Sequence, residues 1–185
     1  MIKYLGLDYI EKTVIPIIHK HYVRENNPAH DYLSEPNSME QLDGCLERAQ
    51  WDYVEGVISK ATQLFLCINK GHFFENGNKR LALVVLLSFL FENDYVFRDN
   101  YDKSEFSGHL NDLFPEFEDY EDESIFTSIE FAYYNLTIIV ANSGKYEYSH
   151  DELKEKVEDF LNYSIITPEE IEDYGDEYLR QGGVE

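Results

Sequence analysis

"INKGHFFENGNKRLALVVLLSFLFEND", residues 68–94, is the stretch that decides the fold. From Lys79 to Glu92 it is apolar nearly all round a helical projection. A surface helix keeps one polar face, so this pattern predicts a central helix buried on most sides. Asn93 and Asp94 supply its stop. The stretch before it is crowded with hydrogen-bonding groups: His72, Asn76, Asn78, Lys79 and Arg80, with Gly77 among them. Asparagine is a favoured N-cap, so Asn78 is expected to open the helix. The amides of residues 79–81 would then have no partner inside it.

Helical signals continue on either side. Residues 8–24 place Ile10, Val14, Ile17, Ile18 and Tyr22 near one face, with Pro16 as a kink. Residues 51–69 are apolar at 54, 57, 58, 61, 64, 65 and 68, a helix packed on a core. Between these two, residues 25–50 carry Pro28, Pro36 and the polar cluster "SEPNS", and are expected to be irregular with room for a short β-hairpin flap. Residues 114–124 form an acidic connector, followed by a helix over about 125–142 and a turn at "NSGK". A last helix starts after Ser149, whose spacing to Glu152 makes a capping box. The expected fold is all-α: one domain over residues 1–162, then an acidic tail over 163–185.

Hydrophobic residues make up 43% of the 185 and aromatics 15%, enough for a packed core. Cys45 and Cys67 lie far apart without metal-ligand spacing, and Cys67 reads as a small buried hydrophobe, so neither a disulfide scaffold nor a metal centre is expected. The first residues carry charge too early for a signal peptide, and the longest apolar run, Leu81 to Phe91, is too short to span a bilayer. A soluble cytoplasmic protein is the expectation, with no membrane partner. The formal net charge of −22 argues against broad nucleic-acid binding, because such a field repels phosphates. Against that background Lys70, His72, Lys79 and Arg80 face only Glu75 within the window 70–80, which makes it the place for a small anion.

The chemistry of that window follows from its residue types. Unpaired first-turn amides and the helix dipole make an anion site. Gly77 permits close backbone approach, and Lys79 and Arg80 add full charges, Arg in a fork that matches phosphate oxygens. His72 carries an imidazole suited to taking a proton from an attacking hydroxyl. Phe74 would turn into the core and pin the loop. A base beside a polyphosphate cradle is a phosphoryl- or nucleotidyl-transfer layout, in which positioning and charge stabilisation do most of the catalysis.

"HFFENGNKR", residues 72–80, resembles the signature H-x-F-x-[DEN]-[AG]-N-[GK]-R of the Fic/Doc family. It is more similar to the death-on-curing (Doc) branch, which has Lys rather than Gly after the second Asn. "DGCLERA" at 43–49 and "YNLTIIVANSGKYEYSHDELKEKVEDFL" at 134–161 are looser similarities. The resemblance implies a Fic-like helical fold and transfer from ATP or another NTP, with Mg²⁺, to a protein Ser, Thr or Tyr hydroxyl. The Doc branch implies a protein kinase rather than an AMP transferase, acting as the toxin of a toxin–antitoxin pair on a target such as a translation factor. By position, His72 is then the base; Asn76, Gly77, Asn78, Lys79 and Arg80 bind the nucleotide phosphates; Phe74 is the anchor; and Asn76 also occupies the metal-binding position.

Two departures matter. An amide at Asn76 brings no negative charge to Mg²⁺, and Leu83 stands where the AMP-transferring branch has a second Arg. Each single element of 72–80 is otherwise an ordinary capped helix start with a solvated loop; the joint pattern is what points to catalysis. Two other classes remain open: a catalytically lapsed Fic scaffold serving as an acidic protein-interaction module, and an acidic mimic that occupies a nucleic-acid-binding surface on a partner. His19 and His21, two apart on a helix, face different sides and are read as core or surface residues rather than a metal pair. His30, His109 and His150 have no supporting constellation.

Overall fold

The computed structural model describes residues 1–21, 28–51, 55–98, 100–122, 126–168 and 170–171. Its order is α1 (Leu7–Tyr9), a π-helical turn (Ile10–Val14), α2 (Ile15–His21), α3 (Pro36–Arg48), α4 (Val57–Gly71), α5 (Asn78–Glu92), β1 (Val96–Phe97), α6 (Lys103–Leu113), α7 (Ser128–Asn142), α8 (His150–Ser164) and β2 (Ile165–Ile166). Short 3-10 turns lie at Tyr32–Ser34 and Ser143–Lys145.

Packing follows the apolar pattern. Along α5, Leu81 to Leu86, Ser88, Phe89 and Leu90 are all buried. It packs against α2, α4 and α7, while α4 also meets α3 and α8. Burying one Leu or Phe side chain contributes about 1.5–3 kcal/mol, so this helix is firmly anchored in the core. It ends where expected. Asn93 accepts from the Lys3 amide (2.8 Å) and donates to the carbonyls of Lys3 and Phe89, which ties the chain's start to the end of α5. Asp94 then turns through a left-handed φ of 67°.

The kink expected at Pro16 takes a specific form. α1, the π turn and α2 run on as one helical segment, and the Ile15 amide bonds back to the Ile10 carbonyl. Proline has no N–H for the residue 12 carbonyl and its ring crowds that oxygen, so a widened turn just before it relieves both problems. Tyr22 and residues 23–27 of the sequence expectations lie outside the described residues, as do Val54 and the tail from 172.

Three sequence expectations need correction. The stretch 25–50, described from residue 28, is not irregular throughout: Pro36 opens α3 at its first turn, and Met39, Leu42, Cys45 and Leu46 line its buried face. Proline read as a breaker was in fact a helix starter. No strand lies among the described residues of that stretch. The two short strands sit elsewhere, with Val96 and Phe97 pairing antiparallel to Ile166 and Ile165. Helix α6 was missed, although Asp102 and Glu105 form a capping box around its first turn. The boxes at Thr127–Glu130 and Ser149–Glu152 start α7 and α8 in the same way.

The acidic connector is held rather than loose where it is described. The Asn135 carboxamide accepts from the Glu121 amide and donates to its carbonyl, both at 2.9 Å. Residues 163–166, placed by sequence in the tail, carry Ser164 and Ile165 into the core, and the Tyr133 and Ser164 hydroxyls bond at 2.7 Å. Cys45 is buried but Cys67 is only half-buried, and the Arg48 guanidinium donates to its sulfur.

Adjacent residues of α5 test this packing. Leu90 is fully buried and Phe91 is 70% exposed. Leu90→Ala is expected to lower unfolding free energy by about 2–5 kcal/mol in urea titration, and Phe91→Ala to change it by less than about 0.5 kcal/mol.

Candidate functional site

The loop from α4 to α5 turns on two backbone positions. His72 closes α4 in the left-handed region (φ 48°, ψ 42°), and Gly77 precedes α5 at φ 82°. A left-handed non-glycine residue costs about 1–2 kcal/mol. Between them Phe74 is 3% exposed, its ring edge-on to His30 and Tyr32. Asn78 stitches the loop shut: the Phe74 amide donates to its Oδ1 at 3.0 Å, and its Nδ2 donates to the Phe74 carbonyl at 2.7 Å.

The helix therefore starts one residue earlier than expected. Gly77 is the cap and Asn78 the first helical residue. The Leu81 amide makes the first intrahelical bond, to the Gly77 carbonyl at 2.9 Å. The amides without a partner inside the helix are those of Asn78, Lys79 and Arg80, not 79–81. The Asn78 side chain does not cap; both ends of its carboxamide are committed to Phe74.

Residues 28–35 brace this loop. The Tyr32 hydroxyl donates to the Gly77 carbonyl at 2.9 Å. Burial pushes that phenol up to about 12, against the pull of Arg80, so it stays protonated as a donor. The Glu35 carboxylate accepts from Ser38 at 2.8 Å and from the Glu75 amide at 3.4 Å, and lies 2.5 Å from His30 Nε2. These contacts, the Ser38 hydroxyl first, hold Glu35 below the usual carboxylate range. Arg80 donates to the Pro28 carbonyl at 3.3 Å. His30, which sequence left without partners, is thus central to the brace.

A cleft of about 590 Å³ opens over the start of α5. That is within the ordinary range for small-molecule sites, roughly 300–1,000 Å³. His72, Asn76, Gly77, Asn78, Lys79 and Arg80 all line it. Phe74 does not; it lies beneath. Leu83 and Leu87 of α5 face Ile129, Tyr134 and Ile138 of α7 along the apolar part. His72, Asn76 and Lys79 are exposed, while Arg80 is half-buried.

Some of this lining was invisible in sequence. Glu130 brings a second carboxylate beside that of Glu75, and His21, read in sequence as a core or surface residue, arrives from α2. Asn69 is 1% exposed, donates from Nδ2 to the Thr137 carbonyl at 3.2 Å, and has no protein partner for Oδ1. Its position one turn before His72 was the available signal. The α7 wall gave none, because an apolar helix bordering a cleft reads like any core helix.

Metal binding by the protein alone finds little support. Among the described residues no group of three or more His, Cys, Asp or Glu could hold an ion. The Asn76 carbonyl oxygen already accepts from the Gly77 amide at 2.7 Å. No helix among the described residues is long and apolar enough to cross a membrane.

Residues 9–90 match the model of the Fic/DOC family, a span that ends in the last turn of α5 and includes the whole loop. No curated protein and no solved structure matches the chain.

Two glycines separate backbone demand from space. A Cβ at Gly77 would meet the Tyr32 hydroxyl at 2.4 Å in a left-handed conformation, whereas one at Gly108 in α6 meets nothing within 4 Å. Gly77→Ala should cost about 1–3 kcal/mol in thermal or urea unfolding. Gly108→Ala should gain about 0.5–1 kcal/mol.

Proposed function

We propose that the protein is a Fic/DOC-type transferase that moves a phosphoryl or nucleotidyl group from ATP or another nucleoside triphosphate to a protein hydroxyl. One observation carries the reading: the unpaired amides of Asn78, Lys79 and Arg80, with two cationic side chains, share a cleft with an exposed imidazole, His72. The match of residues 9–90 to the family supports it independently.

In this reading the helix start and the Lys79 and Arg80 side chains hold the polyphosphate and neutralise charge that builds in the transition state. Arg80 exchanges its Pro28 carbonyl for phosphate oxygens, a stronger charge-assisted bond. His72 takes the proton as the acceptor oxygen attacks phosphorus, and the bridging oxygen leaves with the remaining phosphates. Mg²⁺, when bound with the nucleotide, would supply charge neutralisation and would be held chiefly by phosphate oxygens, since Asn76 offers a neutral and already engaged oxygen.

Transfer of the γ-phosphoryl group is favoured over AMP transfer. Lys79 stands where AMP-transferring relatives resemble one another in having glycine, and Leu83, 4% exposed, stands where they have a second arginine. The acceptor is a Ser, Thr or Tyr of another cytoplasmic protein, with a translation factor as the expected class and an antitoxin as the expected inhibitor. The braced, committed side chain of Asn78 acts on the loop's shape, and its backbone amide faces the phosphate.

Incubation with α- or γ-labelled ATP and a cell lysate tests this. Label transferred from the γ position only is expected; label from the α position only would mean nucleotidyl transfer, with the γ label leaving in pyrophosphate. Label from neither, with no saturable heat on titrating ATP, would leave a protein-binding scaffold. His72→Ala should lower transfer by about 10²–10⁴-fold with unchanged circular dichroism. Arg80→Ala should weaken nucleotide binding by roughly 10–100-fold in the same titration.

A further inference from the structure

Two thiols and a guanidinium meet where α3 packs on α4, away from the cleft. Cys45 on α3 is 2% exposed, and Cys67 on α4 is half-buried. Arg48, one turn after Cys45, donates from Nη2 to the Cys67 sulfur at 3.3 Å. Cys45 and Arg48 lie on adjacent turns of α3, so the contact between Arg48 and the Cys67 sulfur brings the two thiols into each other's neighbourhood. Neither sulfur borders the cleft, and nothing in the transfer chemistry uses them.

We propose that Cys67 is a peroxide-reactive thiolate and that Cys45 is the resolving thiol that converts its oxidised form into an intramolecular disulfide.

The arrangement has the parts such a site needs. A reactive cysteine is accessible, electropositive in its surroundings, and next to a second thiol. Cys67 has partial exposure, Arg48 and Cys45. The neighbouring Cys45 thiol and the Arg48 guanidinium pull the Cys67 thiol below its ordinary range. The neighbouring Cys67 sulfur, together with burial, pushes Cys45 up. The pair is also asymmetric in its surroundings: Cys67 is partly exposed and receives the Arg48 guanidinium, while Cys45 is buried behind it. A metal site is not an alternative, since no third ligand completes a cluster among the described residues.

The chemistry balances with a hydroperoxide as oxidant. The Cys67 thiolate attacks one peroxide oxygen, the O–O bond breaks, and hydroxide leaves and takes a proton to become water, giving the sulfenic acid. The Cys45 sulfur then attacks the Cys67 sulfur, the S–O bond breaks, and water leaves with the Cys45 proton. Two thiols and one H₂O₂ become one disulfide and two waters, and the sulfurs lose two electrons. The new bond would fasten α3 to α4 upstream of His72, which ends α4. It would also fix the start of α3, where Glu35 meets the Glu75 amide.

Treating the full chain with hydrogen peroxide and measuring free thiols and intact mass tests this. Wild type should lose both thiols and two hydrogens of mass while staying monomeric, and dithiothreitol should reverse the change. Cys45→Ala should instead gain one oxygen, trapped by dimedone on Cys67. Cys67→Ser should leave Cys45 unmodified. Arg48→Gln should slow alkylation of Cys67 at neutral pH severalfold, and the wild-type thiol should react roughly tenfold faster than free cysteine. Survival of both thiols in excess peroxide, an intermolecular dimer as the product, or first attack at Cys45 would overturn the proposal.

Discussion

A helix cannot satisfy its own first amides, and here the helix in question is buried in the core along most of its length. α5 is buried from Leu81 to Leu90 save for Leu87, which borders the cleft, so its start cannot shift to find partners. The amides of Asn78, Lys79 and Arg80 are therefore held at the mouth of the cleft by the same packing that stabilises the fold. Core stability and the proposed anion site both follow from one buried helix. In a chain of net charge −22 the cleft is balanced, with Lys79 and Arg80 offsetting the Glu75 and Glu130 carboxylates.

The loop before α5 is shaped by constraint from both sides. Asn78 closes it from within through the backbone of Phe74, and Tyr32 closes it from outside through the Gly77 carbonyl. Gly77 is needed twice over, for its left-handed backbone and for the space taken by the Tyr32 hydroxyl. His72 is left exposed at the end of α4, one helical turn beyond the buried Asn69. The result is an exposed imidazole on a rigid support, which is what the proposed transfer would require.

Much of this was legible beforehand because it is local. The apolar run of α5, the capping box at Ser149 and the stop at Asn93 are written in neighbouring residues, and the structure follows them. The all-α class followed from the same periodicity. What was not legible depends on pairs distant in sequence. Tyr32 against Gly77, Arg80 against Pro28, and β1 against β2 leave no periodic trace. The misreading of residues 25–50 has a different cause: Pro36 can begin a helix as readily as end one, and the apolar spacing from Met39 to Leu46 was the better guide. Asn78 shows how a correct residue can carry an incorrect role, since its carboxamide holds Phe74 rather than capping α5. The two cysteines, remote in sequence, became neighbours only when α3 packed on α4.

Amide proton and nitrogen shifts report most directly on whether the start of α5 grips a polyphosphate. Titrating ATP, and separately tripolyphosphate, into ¹⁵N-labelled protein should move the amide resonances of Asn78, Lys79 and Arg80 most, with Leu81, already bonded to Gly77, moving less. Saturable shifts centred on those three amides are the predicted result. Shifts confined to other surfaces, or none at these amides when the nucleotide is in excess, would contradict the account.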